Sequence, residues 1–218
     1  MQKILVLLSL SIVLGCTRQK KGEDNAIAFQ TDSIVTNTDI STIKIQYPVF
    51  DNQYADTVVK NLIDRQLHLF NETTQEMEIS EHWKNELNIR YNVESCNNSL
   101  VTVILDQYCF TGGAHGNTIF SKAVMDINRQ RKYVLNDFFK GDPLTSIQEP
   151  VRKILKQQID FQDFINDGTS ATSDFEIFSL NDSLITFYFT PYQVAPYAYG
   201  SQKVALTIKS LPDFKYPD

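Results

Sequence analysis

The stretch Leu87–Phe110, "LNIRYNVESCNNSLVTVILDQYCF", decides the fold. In its first half Leu87, Ile89, Tyr91 and Val93 alternate with Asn88, Arg90, Asn92 and Glu94. A period of two puts the first set on one face of a strand and the second set on the other. Asn97-Asn98 reads as a turn, and "LVTVILDQYCF" as the returning strand. Past "TGGAHGN" comes a third strand, "TIFSKAVMDI", and "NRQRKYVL" supplies a turn and a short return. Residues 87–135 are therefore expected to form an antiparallel meander.

Outward from the meander the period changes. "STIKIQYPVF" alternates Ile43, Ile45 and Tyr47 with polar partners, a half-buried strand that Pro48 is expected to end. Val58, Val59, Leu62, Ile63, Gln66, Leu67 and Phe70 then recur at helical spacing. "TTQEMEISEHWKNE" is a polar connection. After the meander, Leu144, Ile147, Val151, Ile154, Leu155 and Ile159 form a second apolar stripe. Pro143 suits its first turn, and Pro150 is expected to tilt or interrupt it. "FEIFSL", a turn at Asn181-Asp182, "SLITFYF", a proline-rich loop and "QKVALTI" add three strands. The order β-α-βββ-α-βββ has too few crossovers for a parallel sheet. It predicts an α+β fold, an antiparallel sheet of about six to seven strands with two helices packed on one face. One domain is expected over residues 40–212, with a tail at 213–218.

Residues 1–15 stand apart. Lys3 precedes an apolar run, Ile4 to Leu14, that is shorter than the ~20 residues of a membrane-spanning helix. The pattern is that of a secretory signal. Leu14-Gly15-Cys16 resembles the lipobox of bacterial lipoproteins, which implies cleavage before Cys16 and lipidation of its sulfur. Acyl chains at Cys16 would tie the protein to a membrane. Residues 16–39 are polar and read as a flexible tether. Thr17 follows the cysteine in place of Asp, which by analogy disfavours retention at the inner membrane. The expected location is the cell envelope, at the periplasmic or surface face of the outer membrane.

The net charge is −6 over 218 residues, and losing Lys3 with the signal makes it one unit more negative. Beyond Lys20-Lys21 the chain has no basic block, so it lacks the positive footprint that nucleic-acid binding needs. Such a surface attracts a cationic protein partner. The envelope permits disulfides. In a hairpin turning at Asn97-Asn98, however, Cys96 lies opposite Ser99, and Cys109 lies ~33 Å along the strand, so both thiols are expected to be unpaired.

Three histidines could carry chemistry: His68, His82 and His115. His68 reads as a boundary side chain of the first helix. His82 and Glu86 share helical spacing, but a zinc site needs three or four convergent ligands, and no metal or other cofactor is expected. His115 has Gly112, Gly113 and Gly116 around it. Glycines permit positive φ and close backbone approach. The loop would either present N–H groups to an anion or pin a turn, with His115 bonded to a carbonyl. A catalytic His115 would need a converging carboxylate such as Asp106, Asp126 or Asp137. No nucleophile elbow, P-loop or zinc-protease helix is present, and no catalytic residue is assigned. The other candidate is "FYFTPYQVAPYAYG", Phe187–Gly200, where Tyr192, Tyr197 and Tyr199 sit among prolines. Rigid tyrosines suit a recognition ridge, and equally a cap that holds the last strand in register.

Three ordered stretches carry a resemblance: "YCFTGGAHGNT", "MDINRQRKYVLNDFFKGD" and "NDSLITFYFTPYQVAPYAYGSQKVALTI". Together they resemble the RsiV-like domain family over about residues 40–210. The resemblance implies an α+β fold. The family's best-understood role is that of an anti-sigma factor ectodomain that binds lysozyme, and other members sit beside peptidoglycan deacetylase domains. Neither role makes this domain catalytic. In the family the glycine loop and the tyrosine loop recur across members with different partners, which implies that Gly112, Gly113 and Gly116 form a structural corner. The function expected is a lipid-anchored, non-catalytic envelope module. It would recognise a protein or a peptidoglycan-related ligand, a lysozyme-like enzyme among them, with His115, Tyr192, Tyr197 and Tyr199 as contacts. The alternative is an envelope glycan hydrolase or deacetylase that uses His115.

Overall fold

A computed structural model describes residues 27–75, 83–96 and 99–217. The signal, Cys16, His82 and the Asn97-Asn98 turn lie outside the described residues. Strands β1 (Phe29–Asn37), β2 (Ser41–Phe50), β3 (Asn85–Cys96), β4 (Leu100–Phe110), β5 (Asn117–Asp126) and β6 (Arg131–Lys132) form one sheet in chain order. Helix α1 (Gln53–Gln75) joins β2 to β3. Helices α2 (Leu144–Gln158) and α3 (Gln162–Asp167) follow, then β7 (Phe178–Leu180), β8 (Leu184–Phe189) and β9 (Gln202–Thr207). The last three strands make a second sheet of their own.

The α+β class holds, and the order β-α-βββ-α-βββ holds in outline, with an added strand before α1, the short β6 after the meander and a helix after α2. The structure adds to this in several places. The strands divide into two sheets, and α3 is a third helix. β2 and β3 run parallel, because α1 carries the chain back across the sheet before β3 begins. β1 occupies residues assigned above to the tether, and pairs along its whole length with β2. β2 also continues through Pro48. Only Ser41–Ile45 pair with β3, so the half of β2 that holds Pro48 has a neighbour on one side alone, where a missing N–H is tolerated. Likewise α2 runs on through Pro150 and is not interrupted there.

The six-stranded sheet is buried on both faces near its middle. On one face Ile45, Leu87, Ile89, Val103 and Met125 pack under Val59, Ile63 and Phe70 of α1. On the other, Leu100 and Val124 join Phe138, Ile147, Leu155, Phe175 and Phe187 of the second module. β4 serves both cores, which is why every residue from Leu100 to Leu105 is buried, Thr102 included. Between β3 and β4 the register shifts by one across Val93 and Ser95, so Glu94 sits on a bulge. Past the bulge Cys96 lies opposite Val101, not Ser99, and in the unshifted part of the ladder Cys109 lies opposite Leu87. Cys109 is a free, half-buried thiol whose pKa burial raises.

Lys122 of β5 lies between the two sheets, its Nζ 4.3 Å from the centre of the Phe178 ring. Burial pushes its pKa down to about 8, against the opposing pull of Glu176 and Asp137. A lowered lysine pKa disfavours the folded state below pH 8 and stops doing so as pH rises toward 10.5. Lys122→Met should therefore stabilise the protein at pH 7, by ~1–2 kcal/mol once the lost cation–π contact is subtracted. Urea melts should show that gain shrinking between pH 8 and pH 10.5, the window set by the two pKa values.

Candidate functional site

The loop between β4 and β5 is bent by Gly112 at φ 99° and Gly113 at φ 90°, a region that side-chain-bearing residues rarely adopt. Gly116 is needed for a different reason. A Cβ there would lie 2.4 Å from the ring of Tyr108. The loop thereby turns back on its own strand and holds His115 at the surface.

Eighty-one residues further on, the tyrosine loop meets this corner. The Tyr197 hydroxyl donates to the Gly116 carbonyl at 2.9 Å. His115 Nδ1 lies 3.0 Å from the same oxygen. A carbonyl only accepts, so Nδ1 carries the proton. The imidazole also stacks on the Tyr197 ring, with centroids 3.8 Å apart and planes 21° apart. Tyr192 completes the cluster, 5.6 Å from Tyr197 and 6.3 Å from His115. It is 56% exposed and held at φ 70°, unfavourable for a tyrosine. The loop beneath is anchored by buried Val194 and Ala195. Gln193 ties it to α3 and its exit turn, donating from Nε2 to the carbonyls of Asp174 and Gly168 at 2.9 and 3.3 Å.

Of the four contacts expected from sequence, three converge and one does not. Tyr199 points to the helical side and meets Phe161 edge-on at 5.2 Å. Trp83 joins the corner unforeseen: its indole lies over Gly112, and it is 48% exposed. Its one signal in the sequence is that it is the chain's sole tryptophan, in a polar segment.

The three carboxylates named as partners for a catalytic His115 are occupied elsewhere. Asp106 pairs with Arg90 at 3.0 Å. Asp137 bonds Arg131 and the Val134 N–H. Asp126, at the far end of β5, accepts from the Tyr133 hydroxyl at 2.6 Å and from Arg129 at 2.8 Å. Burial alone would raise the Asp126 pKa, but these hydrogen bonds and the Arg129 charge hold it down at about 2. A lowered carboxylate pKa adds stability above about pH 4, which is lost as pH falls toward 2. Asp126→Asn should remove ~1–2 kcal/mol at pH 7 and flatten that part of the acid-unfolding curve, as read by circular dichroism. Among the described residues no group of three or more metal-ligating side chains occurs.

Comparison with known proteins adds to this geometry. Residues 34–118 match the family described as Deacetylase PdaC, and residues 136–209 match the protein family of unknown function DUF3298. The peptidoglycan-N-acetylmuramic acid deacetylase PdaC of Bacillus subtilis (strain 168) is 28% identical over 201 residues. That match takes in 84% of this chain but 43% of the relative, so the chain spans less than half of the curated protein's length. Two crystal structures share the fold. A DUF3298 family member from Bacteroides fragilis has 18% identity and a TM-score of 0.59, covering 87% of this chain and 96% of that one. A Pseudomonas aeruginosa member has 15% identity and a TM-score of 0.62, covering 90% and 98%. The two family matches fall one on the six-stranded sheet and one on the second module, with residues 119–135 between them, and with the shared fold they support placing this chain in the DUF3298/PdaC type of domain family.

Proposed function

We propose that this protein is a lipid-anchored, non-catalytic module of the cell envelope that recognises a protein or a peptidoglycan-related ligand. The envelope setting is supported by the relative whose name describes action on peptidoglycan. Anchoring through Cys16 rests on the lipobox-like Leu14-Gly15-Cys16, and placement at the outer membrane on Thr17 standing in place of Asp. The recognition surface is the corner of His115, Tyr192 and Tyr197, flanked by Trp83. The observation that carries this reading is the left-handed, half-exposed Tyr192 beside a stacked His115–Tyr197 pair. Such rigid aromatic surface loses little entropy on binding and is what interface anchors are made of. A lysozyme-like enzyme, being cationic, would be drawn by the net negative charge. The alternative, glycan hydrolysis or deacetylation by His115, would need a carboxylate beside the imidazole. Instead Nδ1 is bonded to a carbonyl and the ring is stacked.

The test uses immobilised full chain with purified sacculi and with lysozyme as separate probes. Tyr197→Ala should weaken capture of one of them about tenfold or more, the usual effect of removing an interface anchor. Tyr197→Phe, which keeps the ring and loses only the bond to Gly116, should retain most of it. Capture that ignores Tyr197→Ala, or turnover of glycan that His115→Ala abolishes, contradicts the reading.

A further inference from the structure

A second concavity lies apart from the corner, where the open face of β3 and β4 meets the β8–β9 edge. It encloses about 460 Å³, within the ~300–1,000 Å³ usual for small-molecule clefts. Its floor is apolar: Ile104, Phe120 and the ring of Tyr188, the last two 5.4 Å apart. Its walls are polar. Arg90 and Asp106 pair on one side at 3.0 Å, and Gln202 and Lys203 of β9 stand on the other.

Glu94 is the residue that looks built for the cleft. The bulge in β3 gives it no opposing residue on β4 and aims it toward Tyr188. Its Oε1 accepts from the Tyr188 hydroxyl at 2.9 Å and from Asn92 Nδ2 at 2.5 Å. Among the described residues no donor reaches its Oε2. The Tyr188 hydroxyl also meets Ser179 at 3.3 Å, so its position is held from below. Burial, with the Glu94 charge added and the Ser179 bond opposing, pushes the Tyr188 pKa up to about 12, so it stays a donor.

The charges along the cleft are two of each sign: Arg90 and Lys203 against Glu94 and Asp106. A phosphate or a cationic peptide would meet as much repulsion as attraction there. A neutral ligand with many hydroxyl and amide groups would find fixed donors and acceptors around aromatic rings that can cover its C–H face. We propose that this cleft is a binding site for a neutral saccharide chain of the N-acetylhexosamine class. The sugar face lies on Phe120, backed by the buried Tyr188, and Glu94, Asp106 and Arg90 take its hydroxyl and amide groups. The choice of the N-acetylhexosamine class among neutral hydroxyl- and amide-bearing ligands rests on the envelope reading, and the assignment requires nothing of the aromatic corner.

The experiment is calorimetric titration of the full chain with tri-N-acetylated chitotriose. Saturable binding in the millimolar range or tighter is expected, weakened about tenfold or more by Phe120→Ala and by Glu94→Gln, the latter near-isosteric and safe for the fold. Amide shifts on titration should centre on Arg90, Glu94, Asp106 and Lys203. Absence of saturable binding up to ~10 mM, indifference to both variants, or tighter binding of fully deacetylated chitotriose or of inorganic polyphosphate overturns the assignment. If the cleft fails while Tyr197→Ala still abolishes capture by the corner, only this inference falls. If saccharide binds here and the corner captures nothing, only the corner reading falls.

Discussion

Gly168→Ala should lower the unfolding free energy by about 3 kcal/mol, the upper end of ordinary overpacking, and loosen the aromatic corner with it. A Cβ at this position would lie 1.8 Å from the Gln193 carbonyl oxygen and 2.6 Å from its carbon. The obstacle is backbone, so no rotamer change relieves it. Relief requires moving the Thr190–Gln193 turn, where the Gln193 N–H bonds the Thr190 carbonyl at 3.1 Å. Tyr192 sits inside that turn and Tyr197 just beyond it. Urea titration should show a lower midpoint with an unchanged slope, and partner capture should fall in the same variant. A loss below about 1 kcal/mol would mean that the loop is free to shift and the corner is less rigid than described.

Phe138→Ala should be larger still, about 4 kcal/mol, as for a large aromatic deleted from a full core. Phe138 is fully buried. Its ring meets Tyr133 edge-on at 5.3 Å, Phe178 at 6.0 Å and Phe214 at 6.1 Å. Those three belong to the end of the first sheet, to β7 and to the C-terminal segment. Phe138 thus fastens the two sheets to each other, and its removal opens a cavity between modules that cannot collapse without separating them. Thermal melts of the variant should show lost cooperativity or a strongly lowered midpoint. A cost under about 1.5 kcal/mol would show that the modules are held together elsewhere.

The alternation from Leu87 to Val93 made the meander legible, because one buried face fixes which residues point inward. Helical spacing did the same for α1 and α2. Other features left no such trace. β1 carries mostly exposed side chains, so nothing in "FQTDSIVTN" separates it from a polar tether; its partner β2 makes it a strand. The parallel pairing of β2 with β3 depends on where α1 lands. The division into two sheets depends on Phe138 and its neighbours filling the gap.

The candidate site was half legible. Gly112 and Gly113 announced a positive-φ loop, and the prolines and tyrosines announced a stiff one. That His115 and Tyr197 share one carbonyl, and that Tyr199 turns away, are tertiary facts. Trp83 and the Glu94 bulge are of the same kind. A bulge in the middle of a regular alternation appears only when the opposing strand is known.

The most direct test of the corner as a recognition surface is amide hydrogen exchange on the full chain, with and without soluble peptidoglycan fragments and, separately, lysozyme. The account predicts that one of these ligands slows exchange at residues 112–117 and 191–200 together. Protection confined to other surfaces such as β1, or none with either ligand, would contradict it.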